Sequence, residues 1–317
     1  MVAEAVTVAK AIGARAPVKV QWTREDDIRG GRYRPIYLHR LKAGLDASGE
    51  LVAWHQRIVG QSIIAGTPFE EALVKDGIDG TSVEGAANLP YAIPNFHLDL
   101  HTTQSAVPVL WWRAVGSTHT AYAAETLIDM LAERAGRDPV EFRLAMLGGH
   151  PRHAGVLRLA AEKAGWGGAL PDGLHRGVAV HESFNSYVAQ VAEVRLHDDG
   201  SFKVERVVCA VDCGVAVNPD QIRAQMEGGI GYGLGAALRN QVSLSDGLVE
   251  QSNFHDYEPI RIEDMPKIEV HIVPSSEAPT GVGEPGTPVI APAVANALHA
   301  ATGKRIFRLP IGDQTAV

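Results

Sequence analysis

The stretch "YVAQVAEVRLHDDGSFKVERVVCAVDCG", residues 187–214, contains two runs in which apolar and polar residues alternate on either side of the turn "DDG". A period of two residues places successive side chains on opposite faces of an extended strand, so this stretch predicts an antiparallel hairpin. A second hairpin is predicted at residues 37–62, "YLHRLKAGLDASGELVAWHQRIVGQS", with "DASG" as its turn. The two hairpins supply the predicted sheets.

Helical patterns lie around these hairpins. The stretch "STHTAYAAETLIDMLAERAG", residues 117–136, predicts a helix that Ser117 or Thr118 caps and that Gly136 ends. Further helices are predicted before Gly13, from Pro139, over about 155–165 and from Pro219, and a short strand is predicted at residues 18–22, "VKVQW".

Strands and helices do not alternate regularly, which predicts an α+β fold with mixed sheets and two subdomains. We place the first subdomain at residues 1–150 and the second at residues 151–317, with a break at "GGHPRHAG", residues 148–155.

The segment "NPDQIRAQMEGGIGYGLGAAL", residues 218–238, predicts a helix that Asn218 caps. Glycine and alanine crowd its second half, and a helix so weakened usually persists because a neighbour packs closely against it. Its glycine spacing superficially suggests a dinucleotide fingerprint. The glycines lie inside a helix, however, and not between a strand and a helix start, which argues against that interpretation.

Composition narrows the classes of function. The chain has 317 residues, of which 45% are hydrophobic and 21% charged, and its formal charge is −8. An acidic balance without basic clusters argues against nucleic acid and anionic membranes as partners. No apolar run approaches the roughly 18 residues of a membrane span, so we expect a soluble protein. Cys209 and Cys213 alone complete no metal site, and we expect two buried, reduced thiols and no metal ligands.

A loop near the C-terminus holds one carboxylate. In "PTGVGEPGTPVIAPAVANALHAATG", residues 279–303, Glu284 lies among glycines and prolines that make the loop narrow and stiff. Such a loop presents one side chain to a ligand, or it is a plain turn between a strand and a helix. His181 and Glu182 form a second candidate pair, with a turn at a strand end as the alternative.

Several motifs follow one another in a characteristic order, among them "WWRAVGSTHTAYAAETLIDMLAERAGRDPVEFRL", "VDCGVAVNPDQIRAQMEGGIGYGLGAAL" and "GVGEPGTPVIAPAVANALHAATGKRIFRLPI". Together they resemble the molybdopterin-binding large subunit of the xanthine dehydrogenase/aldehyde oxidase family, of the isoquinoline 1-oxidoreductase type. The resemblance implies that Glu284 is the active-site glutamate, a general base beside the molybdenum. It also implies a set of cofactor contacts: Gln225, Gly228, Gly229, Arg113, Ala114, Val282 and Gly283.

The same resemblance implies an oxidoreductase that hydroxylates N-heteroaromatic compounds or aldehydes with water as the oxygen source. Its cofactor would be molybdenum–molybdopterin in the cytosine dinucleotide form. The family's upstream half, with its glycine-rich pterin-binding motif, is absent from this sequence. We therefore expect two partners, the upstream half of the large subunit and a small [2Fe-2S] subunit, because two cysteines cannot bind such a cluster. We also expect the chain to be inactive without that half.

Two other hypotheses remain at this point. The first is a cofactor-free structural half-subunit that is needed only for assembly. The second is a glycine-rich nucleotide-binding protein, for which the usual sequence signals are missing.

Overall fold

The computed structural model describes residues 1–315 and shows the predicted mixture of strands and helices. Its helices are α1 Val2–Ala11, α2 Arg24–Gly30, α3 Glu70–Leu73, α4 Gly80–Val83, α5 Ser117–Arg134, α6 Pro139–Met146, α7 Pro151–Ala164, α8 Pro219–Leu238 and α9 Ile290–Thr302. Its strands are β1 Tyr37–Leu45, β2 Leu51–Gln61, β3 Val74–Lys75, β4 Ile78–Asp79, β5 Asn95–Thr103, β6 Leu174–Ser183, β7 Ser186–Leu196, β8 Phe202–Asp212, β9 Leu244–Ser245, β10 Leu248–Val249 and β11 Lys267–Ile272. The α+β class is confirmed.

Contacts divide the chain into two compact units. Unit 1 combines Met1–Arg32 with Asn240–Pro259, and unit 2 combines Tyr33–Arg239 with the segment that follows from Ile260. The boundary predicted near residue 150 lies within unit 2, where α6 and α7 are packed together. As a division between functional subdomains, that boundary stays a prediction.

Unit 1 contains α1, α2 and the short β9–β10 hairpin. The strand predicted at residues 18–22 is wrong, because this segment pairs with no other strand among the described residues. The last residue of this segment, Trp22, makes a side-chain contact with α1 instead: its indole N–H donates to Glu4 at 3.1 Å. Thr23 then caps α2 by accepting from the backbone N–H of Asp26.

Unit 2 is built around the sheet β11-β8-β7-β6, in which β6, β7 and β8 are antiparallel and β11 lies parallel to β8. The hairpin predicted from residues 187–214 is therefore confirmed. Alternate residues of these strands enter two different cores. Val191 and Val208 pack with α5, α6 and α7, whereas Val188 and Val207 pack with α8 and α9. Both faces of the sheet are thus covered, which explains why the middle of β7 is buried at nearly every position.

A second sheet in unit 2 has the order β1-β2-β5. The β1–β2 hairpin confirms the prediction for residues 37–62, and β5 adds to β2 in parallel. A buried ion pair joins α5 and α6: Arg143 donates to Glu125 at 2.9 Å, and both side chains are almost fully buried. The phenol of Tyr91 donates to the same carboxylate at 2.6 Å.

Cys209 and Cys213 are free and buried, as predicted. Burial raises the pKa of the Cys209 thiol to about 12, which keeps it protonated at neutral pH. Within residues 1–315, no helix combines the length and apolar character that a membrane span requires.

Candidate functional site

Glu284 lies in the loop that leads into α9, and its side chain is half-buried. It does not cap α9, because that helix starts after Val289 without a side-chain cap. Its Oε1 atom instead accepts the backbone N–H of Ala114 at 2.8 Å, 170 residues away in sequence. The carboxylate therefore joins the loop before α9 to the loop before α5.

Arg113 makes a second connection between the same loops. Its Nε donates to the carbonyl oxygen of Gly283 at 2.7 Å, and an Nη atom donates to Oε1 of Gln225 at 3.1 Å. The planar guanidinium suits this role, since its donors are held in a fixed fork. The structure thus brings together five of the residues singled out from the sequence: Gln225, Arg113, Ala114, Gly283 and Glu284.

The loop before α5 has an unusual backbone. Ala114 has φ 68° and Val115 has φ 46°, both in the left-handed region that favours glycine. Side chains in this region cost roughly 1–2 kcal/mol each, and such strain persists where surrounding contacts hold it. Here the holding contacts are those of Arg113 and Glu284, and the Ala114 side chain is fully buried.

Three glycines of α8, Gly228, Gly229 and Gly233, differ in their surroundings. A Cβ on Gly233 would lie 2.6 Å from the carbonyl oxygen of Thr287, and a Cβ on Gly229 would lie 3.3 Å from Gly286. These two glycines let the helix approach the loop that carries Glu284, which is the close packing predicted from the sequence. Gly228 is different, because a Cβ there would meet no atom of the described residues within 4 Å.

Val282 and Gly283 complete the set of predicted contacts. Val282 packs against the core shared with α8 and α9. Gly283 is exposed, and a Cβ at this position would meet open space, as at Gly228.

Glu84 is a residue that the sequence reasoning missed. The predicted caps of α5 are wrong: the capping position is Gly116, and the Thr118 hydroxyl donates backwards to the carbonyl of Val115. Glu84 supplies the missing acceptor, because its Oε1 accepts from the backbone N–H of Gly116 at 2.7 Å and of Ser117 at 3.3 Å. No local signal marks this residue, since its partners lie more than 30 positions further along the chain.

The other candidate pair supports the turn interpretation. Burial lowers the pKa of His181 to about 4, which keeps its imidazole neutral. Glu182 accepts the backbone N–H of Asn185 at 2.7 Å, within a turn where Phe184 and Asn185 both have positive φ. This carboxylate therefore stabilises the end of β6.

A group of potential metal ligands lies on the sheet β1-β2-β5, where ligand atoms of His55, His97 and Asp99 come within 4.8 Å of one another. Arg57 forms an ion pair with Asp99. Strand register places Lys42 beside His55 and Arg40 beside Arg57 on this face. Because several positive charges surround a single carboxylate, we assign no cation to this cluster.

Comparisons with known proteins identify relatives for almost the whole chain. Two family models, each described as a molybdopterin cofactor-binding domain, match residues 1–147 and 158–266. The chain is similar to isoquinoline 1-oxidoreductase subunit beta of Brevundimonas diminuta, with 35% identity over 97% of the chain and 40% of that protein. It is also similar to a protein of Gluconacetobacter polyoxogenes named membrane-bound aldehyde dehydrogenase [pyrroloquinoline-quinone], with 30% identity over 97% of the chain and 43% of that protein. The chain thus spans less than half the length of these relatives.

Among solved structures, quinoline 2-oxidoreductase from Pseudomonas putida 86 matches with a TM-score of 0.80 at 14% identity, over 98% of this chain and 65% of that chain. At this identity the match shows a shared fold.

The residues present fit one side of a cofactor cradle. A Cβ on Gly228 of α8, or on Gly283 next to Glu284, would meet open space among residues 1–315. The carboxamide oxygen of Gln225 is occupied by Arg113, which leaves the amide N–H groups of Gln225 as donors for a ligand. These features suit a ligand with acceptor atoms at this edge.

Proposed function

Because the chain belongs to the xanthine dehydrogenase/aldehyde oxidase family of molybdopterin-binding large subunits, we propose that it contributes the general base, Glu284, to a molybdenum hydroxylase. The observation that carries this proposal is a pair of contacts: Ala114 donates its backbone N–H to the Glu284 carboxylate, and Arg113 joins the neighbouring Gly283 to Gln225 of α8. Contacts from distant segments that hold a carboxylate and its backbone in place are what a preorganised site requires.

The molybdenum–molybdopterin group, proposed in its cytosine dinucleotide form, would be held by the residues named from the sequence: Gln225, Gly228, Gly229, Arg113, Ala114, Val282 and Gly283. When bound, the group supplies two-electron redox chemistry that side chains cannot provide. Glu284 has one oxygen committed to the N–H of Ala114, so Oε2 is the atom that accepts a proton. The hydrogen bond at Oε1 fixes the orientation of the carboxylate, and Arg113 fixes the backbone on which it stands.

We propose N-heteroaromatic compounds or aldehydes as the substrate class, with water as the oxygen source. The names of the two curated relatives, an isoquinoline oxidoreductase and an aldehyde dehydrogenase, support these two classes. Electrons would pass to a small [2Fe-2S] partner subunit, and the remainder of the large subunit would complete the cradle. We propose that the chain is inactive without that remainder.

The test is co-expression of the chain with its upstream half and an iron-sulfur subunit in a host that makes the cofactor. We expect stoichiometric molybdenum in the purified complex and turnover of quinoline, isoquinoline or an aromatic aldehyde. A stable complex without molybdenum would support the alternative, a half-subunit that serves only in assembly. Assay of bound pyrroloquinoline quinone in the same sample tests the cofactor named for one relative, and we expect none.

A further inference from the structure

Two polar side chains of β7 contact the loop that carries Glu284. Ser186 and Gln190 are fully buried, and they lie on the same face of the strand because they are four residues apart. That face also carries Val188 and Ala192, which belong to the apolar core shared with α8 and α9. A hydroxyl or carboxamide in such a core costs free energy unless it forms a hydrogen bond. The partners of these two side chains therefore decide what they contribute.

Both side chains donate to backbone carbonyl groups of that one loop. Nε2 of Gln190 donates to the carbonyl oxygen of Gly286 at 2.9 Å, and the hydroxyl of Ser186 donates to the carbonyl oxygen of Gly281 at 2.7 Å. The hydroxyl oxygen of Thr280 also lies 2.7 Å from Oγ of Ser186. Because the one hydroxyl proton of Ser186 goes to Gly281, Thr280 is the donor in this contact. The proposed base lies between the two carbonyl groups, so its loop is attached to β7 at both ends.

The acceptor oxygen of Gln190 shows which part of this amide is used. Oε1 is buried and has no hydrogen-bond partner among the described residues. A buried acceptor without a partner is unfavourable, so the amide is accounted for by its donor contact with Gly286 and not by its acceptor. Gly286 is itself buried, and a buried backbone carbonyl requires a donor.

A short turn connects this anchored backbone to the carboxylate. The carbonyl oxygen of Glu284 accepts the N–H of Thr287 at 2.9 Å, across Gly286, so a shift of Gly286 displaces Glu284. At the other end of the side chain, Oε1 of Glu284 accepts the N–H of Ala114 at 2.8 Å. Catalytic groups work only when they are held within about 0.5 Å of the productive geometry. The contact with Ala114 therefore reports whether the loop is in place.

We propose that Gln190 and Ser186 are positioning residues for Glu284. Their hydrogen bonds fix the loop on β7, and the fixed loop holds the Glu284 carboxylate where Oε1 meets the N–H of Ala114 and Oε2 is left to take a proton. Neither residue touches the reacting atoms, because both act through the loop backbone. This inference rests on the proposed function in one respect, the role of Glu284 as base.

The test is hydrogen exchange of the Ala114 amide, measured by NMR in the full chain, with amides in the middle of β8 as the reference for global unfolding. We expect Gln190→Met and Ser186→Ala to speed exchange of Ala114 relative to that reference by about fivefold or more, the factor that one hydrogen bond represents. The matched control is Asn296→Leu. Asn296 is a buried amide that donates to the carbonyl oxygen of Val178 in β6 at 3.1 Å, so its loss should leave the relative exchange of Ala114 unchanged.

A relative exchange rate of Ala114 that stays at the wild-type value in both variants overturns the proposal. Ser186→Ala removes a single hydroxyl oxygen, so its exchange rate decides the question should Gln190→Met not fold.

A kinetic measurement separates positioning of the base from a general structural role. In the molybdenum-loaded complex, Gln190→Met and Ser186→Ala should lower kcat per bound molybdenum by roughly 10- to 100-fold at unchanged KM, because a displaced base still allows the substrate to bind. In the Glu284→Gln background the same two substitutions should have little further effect on kcat, because the base through which they act is absent. Effects that multiply with that of Glu284→Gln overturn the positioning role.

The two proposals fail separately. A fully loaded wild-type complex without any turnover contradicts the proposed function, and the exchange of Ala114 then still decides whether Gln190 and Ser186 hold the carboxylate in place.

Discussion

The carboxylate of Glu284 accepts the backbone N–H of Ala114 at 2.8 Å, although 170 residues separate the two in sequence. The hydrogen bond needs an oxygen acceptor but no charge, whereas proton abstraction needs the charge. Glutamine keeps the acceptor and loses the base, so this position allows structure and chemistry to be tested separately.

We expect Glu284→Gln to lower turnover of the reconstituted, molybdenum-loaded complex by roughly 100- to 10,000-fold, the usual effect of removing a positioned general base. Molybdenum content and melting temperature should stay at wild-type values because the contact with Ala114 is retained. Glu277→Gln, an exposed change in the same connection, is the matched control. Near-normal turnover of a fully loaded Glu284→Gln complex would falsify the assignment of Glu284 as base.

Arg113→Lys should lower the free energy of unfolding by about 1–2 kcal/mol, because one ammonium group cannot replace the forked contacts to Gly283 and Gln225. Denaturant titration of the chain measures this change. Arg223→Lys on the exposed side of α8 is the control, since Arg223 pairs with Asp220 one turn away. Equal effects of the two substitutions would contradict the bridging role of Arg113.

Alanine substitutions at two glycines of α8 should change the free energy of unfolding in opposite directions. Gly228→Ala meets open space and should raise the free energy of unfolding by about 1 kcal/mol through helix propensity. Gly233→Ala places a methyl group 2.6 Å from the carbonyl oxygen of Thr287 and should lower the free energy of unfolding by about 1–3 kcal/mol.

Gly228→Ala also tests the cofactor cradle. If Gly228 faces bound molybdopterin, Gly228→Ala should reduce the molybdenum content of the complex while it stabilises the chain. A Gly228→Ala complex with full molybdenum content would remove Gly228 from the proposed contacts.

Stability of the chain should fall in mild acid because of His181. Burial lowers the pKa of this imidazole from 6.5 to about 4, so between these values the unfolded chain binds the proton and the folded chain does not. The stabilisation is therefore complete above about pH 6.5 and is lost as the pH falls towards 4, a change of roughly 3 kcal/mol.

The measurement is the free energy of unfolding of the wild type and of His181→Gln at several pH values. The difference between the two proteins should narrow as the pH falls, because glutamine does not titrate. The raised pKa of Glu84 contributes with the opposite sign and is common to both proteins, so it cancels in the difference. A difference that is constant from pH 7 to pH 4 would contradict the prediction.

Local patterns were sufficient for most of the secondary structure. Alternation at residues 187–214 predicted the hairpin of β7 and β8, and Asn218 with Pro219 predicted the start of α8, where Asn218 accepts the N–H of Gln221 at 3.1 Å. Residues 18–22 have strand composition but find no partner strand in the part of the chain that the structure describes, so the same kind of pattern failed there. A strand needs a neighbour that its own sequence does not encode.

The sequence by itself determined the α+β class, the family motifs and the isolation of one carboxylate, Glu284, in a stiff loop. These depend on residues that lie next to one another along the chain. Only the tertiary structure decided that Arg113 ties Gly283 to Gln225, that Ala114 adopts φ 68°, and that Glu84 replaces a local cap at the start of α5. Each of these depends on segments that come together only when the core packs, because a hydrogen bond or a strained dihedral is fixed by the distance to its partner and not by the residues beside it.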